Sequence, residues 1–277
     1  MKRFVKWGLL GTACGWAATA GAQLELVTNL EPSPIFSGTS AIPVGFYNPA
    51  GRTFHGPIQT RIFQVGSVTA VPFPPTTWKT VEVPPGETVL QSAALNFPPL
   101  QRKAEFLIQW LEHTNRIIGV THVLVYPTNL LQALRPYLGE TNFGVLDPDN
   151  QLKPLLRAQG IEFSDLEETE LDDFAGRLAV IGPFRSPAEE PAGLRTRIEV
   201  IAKKNVAVVW IQPPGDKPDK LLPSFYAVQK ARAAVVMVQP DLVSDLAQNP
   251  QSQLNLVCLC RWAMDPPPLT LPDVCRE

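Results

Sequence analysis

The sequence predicts a mixed fold, in which an all-β N-terminal half precedes an α/β half built on a parallel sheet. From Leu24 to about Pro127, short segments rich in Val, Ile, Thr and aromatic residues alternate with turns that contain proline or glycine. After Thr128, apolar strands alternate with helical segments. The 277 residues have a hydrophobic content of 45%, which is sufficient for two hydrophobic cores.

The first residues have the pattern of an export leader. A short basic start leads into the apolar stretch Phe4 to Trp16, where Lys6 is the only charge, and Ala20-Gly21-Ala22 gives the small-residue pattern of a cleavage site. We therefore predict a signal peptide over residues 1–22 and a mature chain that begins at Gln23 and is periplasmic or secreted.

Lipidation is an alternative for this leader. Leu10-Gly11-Thr12-Ala13-Cys14 resembles a bacterial lipobox, although Gly11 stands where that motif has leucine. In that case the protein would be a lipoprotein anchored at Cys14, and the type of signal peptidase stays open. The apolar run is shorter than the roughly 20 residues that span a bilayer, so no integral membrane segment is expected after leader removal.

The charge balance argues against nucleic acid as a partner. The leader holds three of the 24 basic residues and none of the 26 acidic ones, so the mature chain carries a net charge of −5. Nucleic acids and anionic membrane surfaces select basic proteins. A protein partner in the cell envelope is the expectation that remains.

Seven strands are predicted in the N-terminal half, separated by turns such as Pro84-Pro85-Gly86. They are Leu24 to Val27, Ala41 to Tyr47, Thr60 to Val65, Thr77 to Val83, Val89 to Phe97, Ala104 to Glu112 and Ile117 to Tyr126. About seven strands in about 100 residues is the count of an immunoglobulin-like (Ig-like) β-sandwich, which we place over residues 23–127.

One turn in this half carries a resemblance. Phe46-Tyr47-Asn48-Pro49-Ala50-Gly51 resembles the strand that ends in an Asn-Pro-x-Gly turn in Ig-like modules of the bacterial envelope. The half contains no cysteine pair, which separates it from antibody-type domains. The resemblance implies a spacer or a binding surface.

The C-terminal half, 128–264, is predicted to alternate strands and helices and to be followed by a proline-rich tail, 265–277. The predicted strands are Phe143 to Leu146, Ile161 to Phe163, Leu178 to Ile181, Val206 to Ile211 and Ala233 to Val238. The predicted helices are Asn129 to Tyr137, Asp149 to Gln159, Gly193 to Lys203, Phe225 to Ala231 and Gln251 to Met264. Strands that are apolar throughout indicate a parallel sheet covered on both faces.

This order resembles the class I glutamine amidotransferase-like fold, a flavodoxin-type parallel sheet. The resemblance rests on Leu178-Ala179-Val180-Ile181-Gly182-Pro183, Arg197 to Lys204 and Val206 to Ile211, and it is to the catalytically silent versions in envelope and gliding-type transport accessory proteins. In active members a nucleophilic cysteine follows the last of these strands, where this chain has Gln212. No late His-x-Glu pair is present either, so the resemblance implies a protein-binding scaffold without catalytic residues and without a cofactor.

Histidines and cysteines offer little for catalysis or metal binding. His55, His113 and His122 have no spacing that would place two of them on one metal ion. Cys258 and Cys260 are two residues apart on a predicted helix and point to nearly opposite sides, so they cannot bond each other. In an oxidising compartment, one of the two is a disulfide candidate with Cys275.

The acidic turn Asp147-Pro148-Asp149 is the candidate site. Ligands of open α/β sheets bind beyond the carboxyl ends of the strands, and two nearby carboxylates could hold Mg²⁺ or Ca²⁺. The turn also resembles the Asp-x-Asp loop of haloacid-dehalogenase-type phosphatases, in which the first Asp is phosphorylated and the second acts as acid/base, but Gln151 departs from that pattern. A structural alternative makes Asp149 a helix cap and Asp147 a turn residue.

Two further features have structural and functional interpretations. The acidic run Asp165 to Asp173 is predicted to be a solvated connection, with a cation site as the alternative. Four tryptophans are predicted to lie in the cores: Trp78, Trp110, Trp210 and Trp262. In the alternative, Trp110 is exposed and serves as a platform for carbohydrate.

The sequence thus favours an exported, non-catalytic envelope scaffold. The alternatives are a metal-dependent, phosphatase-like hydrolase that uses Asp147 and Asp149, and a glycan-binding module.

Overall fold

The protein has a mixed fold of two antiparallel or mixed sheets followed by a largely parallel one. The computed structural model describes residues 23–27, 30, 32–66, 70–112, 116–138, 143–169, 171–215, 225–230 and 233–266. The predicted leader and most of the predicted tail, including Cys275, lie outside these residues.

Nine strands form the N-terminal half of the described chain. They are β1 (Glu25–Leu26), β2 (Ile35–Phe36), β3 (Gly38–Tyr47), β4 (Phe54–Val65), β5 (Ala70–Pro72), β6 (Thr76–Val83), β7 (Thr88–Phe97), β8 (Ala104–Glu112) and β9 (Arg116–Tyr126). All seven predicted strands are found, β8 with the predicted bounds. The short strands β2 and β5 were not predicted, because two or three residues carry too little periodicity to be recognised.

Two sheets pack face to face in this half. One has the order β1-β3-β7, and the other has the order β2-β9-β8-β4-β5, with β6 also paired to β4. The residues between them alternate along each strand, as they do in Ile42, Val44 and Phe46 of β3. Trp110 of β8 lies at the centre, 5.8 Å edge-on from Phe46, and is fully buried, so it cannot serve as a carbohydrate platform.

Asn48 organises the turn that carries the envelope-module resemblance. Its side-chain Nδ2 donates to the backbone carbonyls of Arg52 and Val83, each at 2.8 Å, and its Oδ1 accepts from the Ala50 amide at 3.0 Å. The residue is fully buried. Asparagine is suited here because a single amide side chain satisfies a donor and an acceptor within its own turn and an acceptor at the end of β6.

Strands and helices alternate in the C-terminal half. The strands are β10 (Phe143–Leu146), β11 (Ser164–Asp165), β12 (Leu178–Ile181), β13 (Ala207–Ile211), β14 (Phe225–Lys230) and β15 (Ala233–Val238). The helices are α1 (Arg135–Leu138), α2 (Lys153–Ala158), α3 (Leu194–Lys203) and α4 (Pro250–Met264), with 3₁₀ turns at Leu130–Leu134, Leu171–Asp173, Pro187–Glu189 and Pro240–Val243.

The third sheet has the order β11-β10-β12-β13-β15-β14, in which only β14 is antiparallel to its neighbour. Its five parallel strands, numbered along the chain, therefore lie in the order 2-1-3-4-5. One face packs against α4 and α2, and the other against α3. Strands such as β13 are apolar at every position because both of their faces are covered, which confirms the predicted parallel sheet.

Four predicted elements differ clearly from the structure, among them the helix predicted from Asp149 to Gln159, which begins only at Lys153. Phe225–Lys230 is an edge strand and not a helix, because it pairs with all six residues of β15. The predicted strand Ile161 to Phe163 is displaced to Ser164–Asp165, and Asn129 to Tyr137 is divided between a 3₁₀ turn and α1. In the part of the chain that the structure describes, no helix has the length and apolar character needed to cross a membrane.

Candidate functional site

The carboxyl ends of β10 and β12 form the switch point of the parallel sheet. The chain leaves β10 toward β11 on one side and later returns to β12 on the other, which opens the crevice where ligands of such sheets bind. The loops are close here, since the Gly182 amide donates to the Leu146 carbonyl oxygen at 2.8 Å. Asp147 directly follows β10 and therefore lies at this edge, as the sequence predicts.

Asp147 is fully buried, and backbone amides surround its carboxylate. The Oδ2 atom accepts from the amides of Leu152 at 2.7 Å and Lys153 at 2.9 Å, and the Oδ1 atom accepts from the Gln151 amide at 3.1 Å. Lys153 is the first residue of α2, and Gln151 and Leu152 lead directly into it, so the N–H groups at the start of the helix, which have no partner within it, receive one. The carboxylate therefore caps the helix across the intervening turn.

Asp149 does not cap a helix, which corrects the structural interpretation of the turn. The helix begins at Lys153, four residues further on, and its capping carboxylate comes from Asp147. Asp149 instead accepts from Nε of Arg185 at 2.8 Å. The difference arises because Asn150 takes a left-handed conformation at φ 51° and turns the chain so that Asp147 faces the helix.

Lys153 is the cation of the site, and its side chain is only 3% exposed. Its Nζ donates to Asp165 at 2.8 Å and to Glu167 at 2.7 Å. Glu167 Oε1 also accepts from the Asp147 amide at 2.8 Å, which links the cluster to the end of β10. Asp165 and Glu167 thus bind a buried cation and are not merely a solvated connection.

Sequence reasoning did not identify Lys153, Glu167 or Arg185 as members of the site. Lys153 stands between Leu152 and Pro154 without a neighbouring charge, and Arg185 follows β12, far along the chain from Asp149. The only available signal was the acidic run, which contains both partners of Lys153. Their meeting depends on the sheet order, which no local pattern encodes.

The pKa values reflect this burial. Burial raises the pKa of Asp147, although the amides of Lys153, Gln151 and Leu152 act in the opposite direction. For Lys153, burial would lower the pKa, but the hydrogen bonds to Asp165 and Glu167 outweigh it and the pKa is raised. For Asp165, burial would raise the pKa, but the hydrogen bond from Lys153 outweighs it and the pKa is lowered.

This geometry limits the chemistry open to the two aspartates. A metal or phosphoryl role for Asp147 would require its oxygens to release the helix amides that they hold. Among the described residues, no three His, Cys, Asp or Glu side chains converge in a way that could hold a metal ion. Gln212 follows β13, at the position where the amidotransferase-like pattern has its nucleophile. The backbone N–H of Gln212 donates to the backbone carbonyl oxygen of Val238 at 2.9 Å.

The remaining candidates lie away from the switch point. His122 of β9 is 2.8 Å from Glu105 of β8 at the surface of the β half, and His113 lies outside the described residues. On α4, Cys258 is exposed and Cys260 is buried, in agreement with opposite helix faces, and neither forms a disulfide with another described residue. The predicted pairing with Cys275 stays a prediction, because Cys275 lies outside the described residues. Burial raises the pKa of the Cys260 thiol.

Comparisons with known proteins identify no relative. No family model and no curated protein matches the chain. Among solved structures, an alkylpurine DNA glycosylase from Pseudomonas fluorescens bound to DNA with an abasic site analog has 10% identity and a TM-score of 0.31, covering 38% of this chain and 31% of that one. A β-glucosidase from Streptomyces venezuelae in complex with D-glucose has 15% identity and a TM-score of 0.26, covering 37% and 15%.

A β-glucosidase from Listeria innocua in complex with gluconolactone is similar to the same extent. It has 16% identity and a TM-score of 0.28, covering 37% of this chain and 16% of that one. The chain thus spans less than a third of the length of each of these proteins. Likenesses of this size assign neither a fold nor an activity to it.

Proposed function

We propose that the protein is an exported, non-catalytic binding protein of the bacterial envelope, which holds an extended segment of another polypeptide along strand β9. In this proposal the β half is an Ig-like sandwich that carries the binding surface. The α/β half is an amidotransferase-like domain without catalytic residues, and the strand order 2-1-3-4-5 supports this assignment.

The observation that carries the proposal is the open edge of β9. On one side the strand pairs with β8 over its whole length, from Arg116 to Val125. On the other side, among the described residues, its only strand partner is β2, which pairs at Val125 and Tyr126. No described strand pairs with the outward backbone N–H and C=O groups of β9 between Ile117 and Leu124, and we propose that these groups pair with the partner segment.

An apolar groove of about 510 Å³ runs beside this edge. Residues of β9 from Val120 to Leu124 form one wall, and Leu26, Val27, Leu30 and Pro32 contribute the other. Ile117 and Val120 are 53% and 39% exposed, which is unusual for large apolar side chains on a strand. The groove therefore offers apolar contacts together with unpaired backbone.

An extended peptide is the occupant that this chemistry fits. A strand added here continues the ladder that β2 begins, and backbone pairing with pockets for alternate side chains is the established mode of β-augmentation. Glu105 is the only carboxylate among the lining residues that the structure describes, and these include neither lysine nor arginine. Its side chain is still 50% exposed beside its partner His122, so a basic group of a bound segment can also reach it. We therefore specify a partner segment with alternating apolar residues and one basic residue near Glu105.

The occupied switch point supports the non-catalytic part of the proposal. Asp147, Lys153 and Asp149 each bind other groups of the protein, and Lys153 is almost fully buried. Catalytic groups need to reach a substrate. These side chains instead join α2, β11 and the loop after β12 to the sheet.

A random peptide display library, panned against the purified protein, tests the binding surface. Enriched peptides are expected to alternate apolar residues and to carry a lysine or arginine. Their affinity should fall about tenfold or more in Val120→Pro, which removes a backbone donor from the edge, and to a smaller extent in Glu105→Gln.

Val200→Ala is the control, because Val200 is 38% exposed on α3 in the α/β half and does not line the groove. It should leave peptide binding unchanged. The proposal fails if no peptide is enriched, or if the enriched peptides bind the proline variant as well as the original protein. Circular dichroism must show that Val120→Pro retains its strands, and Val120→Lys replaces it if they are lost.

Export is tested separately by the N-terminus of the protein from a bacterial host. Mass spectrometry of the N-terminal peptide is expected to show a chain that begins at Gln23, in the free or the cyclised pyroglutamate form. A mature N-terminus at a lipidated Cys14 would instead assign the lipoprotein form, and an N-terminus at Met1 in the cytoplasmic fraction would refute export.

A further inference from the structure

A buried carboxylate lies at the end of β8. Glu112 is only 6% exposed, and its Oε1 atom accepts from the backbone amide of Leu24 at 2.6 Å. This donor is neutral, so it supplies no counter-charge. A buried carboxylate is stabilised chiefly by a cation that pairs with it, which makes the groups next to Leu24 the first to consider.

The chain that precedes Leu24 is held at the same place. Leu24 is 1% exposed and belongs to the core of the β half. The side-chain Nε2 of Gln23 donates to the Arg52 carbonyl oxygen at 3.3 Å. Backbone nitrogens of consecutive residues are about 3–4 Å apart, so the nitrogen of Gln23 lies no more than about 7 Å from Oε1 of Glu112.

Gln23 is also the first residue of the predicted mature chain. In the uncleaved chain its backbone nitrogen is a neutral amide. Hydrolysis of the Ala22–Gln23 bond by an envelope peptidase consumes one water molecule and leaves a carboxylate on Ala22 and an amine on Gln23. The amine takes up a proton at neutral pH. Cleavage therefore places a positive charge beside the buried carboxylate.

From these features we infer that leader removal creates an ammonium group at Gln23 which pairs with the Glu112 carboxylate and fastens the N-terminus to the β half. The inference rests on the proposed cleavage before Gln23 and does not depend on peptide binding. The uncleaved chain lacks this ion pair, so its β half is less stable. Leu26 and Val27 follow directly and line the β9 groove, so the ion pair also holds one wall of that groove.

The charge can be removed from the mature chain without changing another residue. Glutaminyl cyclase joins the amine of Gln23 to its own side-chain amide carbon and releases ammonia, which leaves an uncharged pyroglutamate ring. The mature chain is produced from a fusion that leaves no extra residue, and mass spectrometry verifies each form. In urea denaturation at neutral pH, cyclisation should lower the folding equilibrium constant of the β half about tenfold.

Two variants assign the effect to Glu112. Glu112→Gln keeps the shape of the side chain and removes its charge, so its free and cyclised forms should differ by less than about twofold. Glu25→Gln is the matched control, because Glu25 is an exposed acid near the same N-terminus, and the full difference should persist in it. Comparing two forms of each variant also cancels the effect of the ring on the Gln23 side chain.

Equal stability of the free and cyclised forms would overturn the inference, and so would a difference that persists in Glu112→Gln. If Glu112→Gln does not fold, a chain that begins at Ala22 replaces it. Its ammonium lies one residue further from the carboxylate, so it should be as unstable as the cyclised form, and the stability of the free Gln23 chain would refute the ion pair. These results do not depend on where a bacterial host cleaves the leader, which the N-terminal peptide determines separately.

Discussion

At the carboxyl end of β10, the Asp147 carboxylate holds the first turn of α2 through three backbone amides. Asp149, two residues later, has a side chain that is also only 6% exposed, but it pairs with Arg185, whose side chain is 71% exposed and can turn to water. The two aspartates are thus alike in sequence and different in energetic weight. Hydrogen bonds to a buried charged group contribute more than an ion pair with one partner in solvent.

Asp147→Asn should therefore destabilise the protein by about 2–3 kcal/mol, because the asparagine amide nitrogen would meet helix N–H donors. Asp149→Asn should change the free energy of unfolding by about 1 kcal/mol or less. Urea denaturation of both variants measures the contrast. Equal losses would show that Asp147 does not cap α2.

Lys153 gives the second prediction at the residue scale. The double variant Asp165→Asn/Glu167→Gln leaves a buried cation without a negative partner, which should destabilise the protein by about 3–5 kcal/mol at neutral pH. Glu168→Gln, at an exposed neighbouring position, is the matched control. Denaturation with guanidinium chloride would measure the difference.

The pH dependence of this cluster has a definite sign. The pKa of Asp165 is lowered in the folded protein, so its contribution to stability is complete above its ordinary value of 3.8 and is lost as the pH falls through the folded value. The stability gap between the original protein and the double variant should therefore narrow below pH 3.8. A constant gap down to the acid transition would contradict the role of Asp165.

At the level of elements, close approaches between loops and strands depend on glycine. Gly182 lies after β12 with φ at 92°, and a Cβ atom there would be 2.7 Å from the Ile211 carbonyl oxygen. In the β half, Gly119 of β9 lies under Leu26, whose Cβ would be 2.6 Å from an added methyl group. Both positions lie where neighbouring segments meet.

Gly182→Ala should be more destabilising than Gly193→Ala, which is the matched control. Gly193 also has a positive φ, of 72°, but nothing lies within 4 Å of an added Cβ. In the control, the free energy of unfolding should fall by roughly 1–2 kcal/mol because of the backbone conformation alone. In Gly182→Ala it should fall further, because the backbone of β13 must also move. Thermal denaturation of the two variants side by side measures this, and equal losses would argue against the contact.

At the level of the whole molecule, the hydrophobic cores divide between the halves. The core of the β half contains residues from Leu24 to Val125, and the two clusters on the faces of the parallel sheet contain residues from Leu131 to Ala263. No residue belongs to both sets. Domains with separate cores unfold as separate cooperative units unless a large interface couples them.

Differential scanning calorimetry should accordingly resolve two transitions. Ile108→Ala and Val209→Ala each truncate a fully buried side chain in one half. Each should lower only one of the two melting temperatures. For Ile108→Ala, the free energy of unfolding of the β half should fall by about 2–5 kcal/mol. A single transition that both variants lower would show that the halves unfold together.

Local pattern by itself determined most elements of this chain. The strands Ala104–Glu112, Phe143–Leu146, Leu178–Ile181 and Ala233–Val238 were predicted with the bounds that the structure has. Ala104–Glu112 is rich in strand-forming residues, and the other three are short apolar runs followed closely by Asp147, Gly182 or Pro240. The change from a β half to an α/β half near Thr128 is also visible in the local pattern, because helical segments begin to alternate with apolar strands there.

Only the tertiary structure decided the remainder. Phe225–Lys230 has residues that suit either a helix or a strand, and its pairing with β15 made it a strand. The position of the helix start decided which of Asp147 and Asp149 caps α2. The order of the third sheet brought Lys153 to Asp165 and Glu167, and it is the tertiary fold that pairs β2 with β9 at Val125 and Tyr126. These outcomes depend on contacts between residues distant in sequence, which a local window of residues does not contain.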